Sequence, residues 1–142
     1  MEMIVKQQYL NIRNETTRIC SYLNEHELSV QPRTEVSPAK WHLGHTTWFF
    51  EKVILKKNLE NYHCFNTDYD FIFNSYYKQI GKHIKQSDRG EIELESTEIL
   101  KYRDYVDKMM LSLLDTEINH EISDLITIGL NHEQQHQELL HM

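Results

Sequence analysis

From Ile118 to the end of the chain, one stripe of residues recurs every three or four positions: Ile118, Ile122, Leu125, Gly129, His132, His136 and Leu139. That period marks one face of an α-helix, the face a helix turns toward a core. Two histidines therefore continue a stripe on which plain hydrophobes are expected. A helix with this seam needs other helices to bury it against. Four glycines and two prolines among 142 residues leave few turns, which argues against sandwiches, barrels and glycine-loop nucleotide folds.

The rest of the chain supplies the partners. A first helix over about Glu2 to Asn24 places Ile4, Ile12, Ile19 and Leu23 at helical spacing. The stretch from Glu25 to Val36, with Pro32, reads as a connecting loop. Ser37-Pro38 reads as an N-cap hydroxyl followed by proline at the first helical position, opening a second helix to about Lys57. A third, shorter helix covers about Thr67 to Ile80 and stops at Gly81, and the polar stretch from Lys82 to Glu95 reads as a loop. Ser96 then caps a fourth helix with Ile99, Tyr102, Val106, Met109 and Leu113 on one face, and the last runs from about Glu117 to the end. The expected fold is all-α: a four-helix bundle with one extra short helix, as a single domain over residues 1–142.

Charge and composition exclude several functions. Lys and Arg number 15 against 22 Asp and Glu, a net charge of −7 that opposes binding to nucleic-acid phosphates. No run approaches the roughly 18 consecutive apolar residues of a membrane span. Met1 to Leu10 lacks the basic region and apolar run of a signal peptide. Cys20 and Cys64 are too few and too far apart for a disulfide framework and read as small core hydrophobes of a cytoplasmic protein.

Of nine histidines, His132 and His136 stand one helical turn apart. Such a pair can chelate one ion, each ring offering a nitrogen at about 2.0–2.1 Å. The alternative is two hydrogen-bonded core histidines. Buried nitrogens left unpaired cost about 1–3 kcal/mol each, and a shared metal satisfies both. The second helix offers a third ligand: Trp41, His45 and Trp48 follow the same spacing, which places His45 toward the core. His42, about 100° around the helix from Trp41, is expected at the rim. His26, His63 and His83 fall in or near loops, His120 lies off the seam, and His141 belongs to the terminal turn. The run His132-Glu133-Gln134-Gln135-His136 also fits the zincin pattern, with Glu133 as general base. That reading fails downstream, because Leu139 and Met142 occupy the places of the metzincin glycine and last histidine.

The segment Ser37 to Glu51, SPAKWHLGHTTWFFE, resembles the signature of the N-terminal DinB-like domain of ergothioneine-biosynthesis sulfoxide synthases. Phe73 to Tyr77, Arg89-Gly90, Tyr102-Arg103 with Val106-Asp107, and Gly129 to Leu140 (GLNHEQQHQELL) resemble further blocks of that family, in the same order. The resemblance covers about residues 30 to 140. It implies a bundle of DinB-like type with a three-histidine iron(II) site, whose ligands fall at His45, His132 and His136. It also implies that Gln135 lies beside a histidine-derived substrate. Lys82, Lys85 and Arg89 are the corresponding candidates for contacting a thiol.

In that family, iron(II) and O2 join cysteine or γ-glutamylcysteine to hercynine as a sulfoxide. The complete synthases continue into a formylglycine-generating-enzyme-like domain, which is expected to be absent from this chain. The expectation is therefore an iron-binding oxidoreductase module whose partners are a small thiol and a hercynine-like substrate once a second domain completes it. Zinc or nickel would suit the same ligands. Two copies could pair through the aromatic face near Trp48, Phe49 and Tyr76. The alternatives are a stand-alone thiol-dependent transferase or isomerase with a divalent metal, and a non-catalytic, metal-stapled bundle.

Overall fold

The computed structural model describes residues 2–33, 36–74 and 86–141. Within them the chain is helical, and no strand forms beyond an isolated bridge between Arg33 and Val36. The first helix, α1, spans Glu2–Cys20. Its fully buried stripe is Tyr9, Arg13, Thr16 and Cys20; Ile12 packs partly buried beside it, and Ile4 is 70% exposed. The Asn24 side chain then accepts from the Glu27 N–H while the Glu27 carboxylate accepts from the Asn24 N–H. This capping box starts a one-turn helix, α2 (Glu25–Ser29), inside the stretch read as a loop.

The second long helix is continuous but not uniform. It comprises α3 (Ala39–Phe49), a π-helical stretch (Phe50–Leu55) and α4 (Lys56–Asn58). It begins one residue later than expected. The Pro38 carbonyl accepts the first helical bond, from the Trp41 N–H at 3.0 Å. The Ser37 hydroxyl makes no cap and instead accepts from Arg89 Nη1 at 2.8 Å.

A short helix, α5, spans Tyr69–Phe73, and the remainder of the helix expected to reach Ile80 lies outside the described residues. After a 3-10 turn at Gln86–Glu91 comes α6 (Ser96–Leu114). Ser96 is its first residue rather than its cap. Its N–H, at 3.0 Å, and its hydroxyl both donate to Glu25, tying α6 to α2. Ile99, Tyr102, Val106 and Leu113 are buried as expected, but Met110 rather than Met109 completes the face.

The last helix, α7, spans His120–Leu140, and the Asn119 side chain caps it by accepting from the Ile122 N–H at 2.9 Å. Its buried residues are Ile126, Gly129, Leu130, Glu133 and His136, whereas Leu139 is 39% exposed. The reason is geometric. A repeat of seven residues falls about 20° short of two turns of a straight helix, so the seam drifts away from the core over successive heptads.

Among the described residues, four long helical segments thus form the bundle, with two short helices, α2 and α5, where one was expected. The centre is α3, every residue of which from Lys40 to Phe49 is buried. It packs against α6 and α7, and α7 packs along α1. Two glycines permit this closeness. A Cβ on Gly129 would lie 2.6 Å from the Phe50 ring, and one on Gly44 would lie 2.1 Å from the Phe73 ring. Among the described residues, no helix is long and apolar enough to cross a membrane.

Candidate metal centre

Helix α3 carries His45 and α7 carries His132 and His136 to the same point between them. One nitrogen from each ring lies within 4.8 Å of the others. His45 Nε2 and His132 Nε2 are 3.1 Å apart. Two nitrogens bound at about 2.0–2.1 Å to one ion stand about 2.9 Å apart at a right angle and about 3.4 Å apart at the tetrahedral angle. The observed separation falls between these.

Each ring is held differently. His45 lies nearly parallel to Trp41, with centroids 4.3 Å apart, and to Trp48, at 5.6 Å. These are the neighbours the helical spacing predicts. Its Nδ1 is 2.7 Å from the Phe73 carbonyl oxygen. A carbonyl only accepts, so the Nδ1 proton is fixed there and Nε2 presents its lone pair. His132 packs on Phe49 at 4.8 Å between centroids. Its Nδ1 is buried with no hydrogen-bond partner among the described residues. His136 Nδ1 meets His42 Nδ1 at 2.7 Å.

Electrostatics favours the form that binds metal. Burial, and then the neighbouring rings, push His45 well below the ordinary imidazole value and His136 down to about 3. Burial also lowers His132. All three are neutral near pH 7, as ligation requires. Three neutral imidazoles suit a divalent first-row ion without choosing among iron, nickel and zinc. The residues fit such an ion.

Behind this cluster lies an ionic network that anchors α7. Glu133 is fully buried. Its Oε1 accepts from Arg13 Nη1 at 2.9 Å, and its Oε2 accepts from Arg103 Nη2 at 3.0 Å and Thr16 Oγ1 at 2.5 Å. Arg13 Nε also donates to Asp107 at 2.7 Å, which accepts from the Tyr9 hydroxyl at the same distance. Glu133 is thus a structural anion tied to α1 and α6, with both oxygens engaged away from the ligand face.

Other residues singled out by the sequence fall in different places. His42 is 5% exposed, not at the rim, because α3 is covered on every side. Arg89 is 7% exposed, with its guanidinium carbon 3.6 Å from the centroid of the Trp41 ring that stacks on His45. It stands one ring removed from the cluster. Gln135 is exposed. Lys82 and Lys85 lie outside the described residues. His120 and His141 are exposed at the two ends of α7.

Sequence reasoning missed His42, Arg13 and Arg103. The signal for Arg13 was the 4, 3, 4 spacing of Tyr9, Arg13, Thr16 and Cys20, which a search for apolar residues alone passes over. None of the curated proteins matches the chain significantly. The model of the DinB superfamily matches residues 8–140, a span that takes in most of α1, the other three long helices and the three converging histidines, and the chain belongs to that superfamily.

Proposed function

We propose that this chain is the metal-holding module of a sulfoxide synthase, with His45, His132 and His136 as ligands of iron(II). The observation that carries the reading is the convergence of three buried or half-buried neutral imidazoles from two facing helices, with no carboxylate among them. When bound, iron(II) supplies the activation of O2 needed to join a thiol to the imidazole ring of a hercynine-like substrate. The chain's own residues hold and orient. Phe73 fixes the His45 ring through its carbonyl, and the two tryptophans exclude water from that side.

Arg89, buried against the Trp41 ring that stacks on His45, is assigned the carboxylate of the thiol substrate. Its buried Nε has no partner among the described residues, which leaves donor capacity for such a group. Gln135, exposed on the helix that carries two of the ligands, is assigned to the imidazole substrate. Lys82 and Lys85 complete the proposed set of thiol contacts. Sulfoxide formation requires a second domain over this end of the bundle.

A second reading rests on the family match, which spans the bundle and all three candidate ligands. It is a thiol-dependent transferase or isomerase using a divalent metal. One experiment separates the two. The chain is loaded anaerobically with iron(II), then given hercynine, cysteine or γ-glutamylcysteine, and O2, alone and with a formylglycine-generating-enzyme-like domain added in trans. Sulfoxide detected by mass only when both parts are present supports the first reading. Thiol transfer to an electrophile by the zinc-loaded chain alone, with no sulfoxide under either condition, replaces it with the second.

A further inference from the structure

The geometry points to His42 as a positioning residue for the metal centre: its Nδ1 accepts the Nδ1 proton of His136 and so turns the His136 Nε2 lone pair toward the ion. The inference rests on the three-histidine reading above and adds a fourth histidine to it. The two Nδ1 atoms stand 2.7 Å apart, a hydrogen-bond distance that two bare nitrogens or two N–H groups cannot hold. One ring must donate and the other accept. Were His42 the donor, the neutral His136 ring would carry its proton on Nε2 and could not ligate through that atom. Ligation by His136 Nε2 therefore requires His42 to be the acceptor.

The parallel with His45 supports this. There the Phe73 carbonyl takes the Nδ1 proton and leaves Nε2 free. Metal-bound histidines commonly donate their second N–H to such a group, and losing it typically costs about 10–100-fold in affinity. His42 is suited to the role by its rigidity. It is buried on α3, its ring centroid is 5.0 Å from that of His136, and Trp41 packs edge-on against it at 5.4 Å. Four histidines thus form one constellation, three facing an ion and one holding a ligand from behind.

Two substitutions separate positioning from packing. His42→Asn places a carbonyl oxygen near the position of Nδ1 but fills less space. His42→Phe keeps a ring of similar size and removes the acceptor. Zinc affinity is measured by competition with a chelator, and the spectrum of bound cobalt(II) reports coordination geometry. The 15N–1H correlation spectrum of the zinc-loaded chain identifies the His136 tautomer. The expected result is a loss of about 10–100-fold in zinc affinity for His42→Phe, a smaller loss for His42→Asn, and a proton on Nδ1 of His136 in the wild type. Equal affinity for His42→Phe and wild type, or a proton on Nε2 of zinc-loaded His136, overturns the inference. Failure of the metal reading looks different: the wild type takes up no zinc, or His136→Ala binds it as well as the wild type, and both proposals fall together.

Discussion

Arg13 on α1 and Glu133 on α7, 120 positions apart in sequence, form a buried ion pair with Arg13 Nη1 2.9 Å from Glu133 Oε1. Neither side chain exposes more than 1% of its surface. Arg103 closes the pair from α6, reaching the other carboxylate oxygen at 3.0 Å. Removing one member of such a set leaves buried charge uncompensated, at a cost of about 3–5 kcal/mol. Glu133→Ala is therefore expected to lower the urea midpoint severely, because two buried guanidinium groups lose their shared anion. A midpoint within experimental error of wild type would show that the network contributes little to stability.

Gly44 links packing to the candidate metal site. A Cβ at this position would overlap the Phe73 ring, whose residue supplies the carbonyl that holds His45 Nδ1. Overpacking a dense core typically costs about 1–3 kcal/mol. Gly44→Ala is expected to lower the melting temperature and to weaken zinc binding as well, since Phe73 must move. Gly129→Ala, which meets Phe50 instead, serves as the comparison. The test is whether affinity falls further in Gly44→Ala than in Gly129→Ala at similar loss of stability.

Metal should stabilise the fold by mass action. Binding only to the native state adds about 2.7 kcal/mol when free ion stands at a hundredfold excess over its dissociation constant. The melting temperature of the wild type is expected to rise with zinc, iron(II) or nickel and to fall back on chelation. His45→Ala, His132→Ala and His136→Ala should each lose most of the rise. A melt that ignores all three ions would identify the cluster as a hydrogen-bonded histidine core.

Acid should destabilise the metal-free chain. Burial pushes His42 down to about 4 and His136 to about 3, below the ordinary 6.5. Because the unfolded chain takes up these protons more readily, the stability involved is present above pH 6.5 and drains away as the pH falls toward the folded values. Glu133 adds to this at lower pH. Burial alone would raise it, but Arg13 and Arg103 outweigh burial and hold it at about 2 against an ordinary 4.5. Its contribution is complete above 4.5 and is lost between 4.5 and 2. Urea midpoints for the metal-free protein should decline steadily from about pH 7.5 to about pH 4. A midpoint unchanged across that range would contradict the burial of neutral rings.

Much of the bundle was legible because helical periodicity is local. The seam through Ile122 and Gly129 located α7, and the spacing of Trp41, His45 and Trp48 set His45 between two indoles, as the stacking distances show. What failed in that reading failed for definite reasons. Leu139 left the core because a seven-residue repeat drifts around a straight helix. Of the apolar residues chosen for α1, Ile12 and Leu23 pack only partly buried at the edge of the core and Ile4 is exposed, since the fully buried stripe includes Arg13 and Thr16. Polar residues enter a core only when a partner meets them, and that partner sits on another helix.

The sequence by itself therefore determined the long helices, the bundle and the three histidines able to share an ion, all of which follow from periods of three and four residues. Tertiary structure alone decided that Glu133 is a structural anion rather than a base, and that the His42 ring meets His136 Nδ1. It also decided that Arg89 lies over Trp41. Each of these depends on which side chain arrives from a distant segment, because the energy of a buried polar group is set by its partner, not by its own place in the helical repeat.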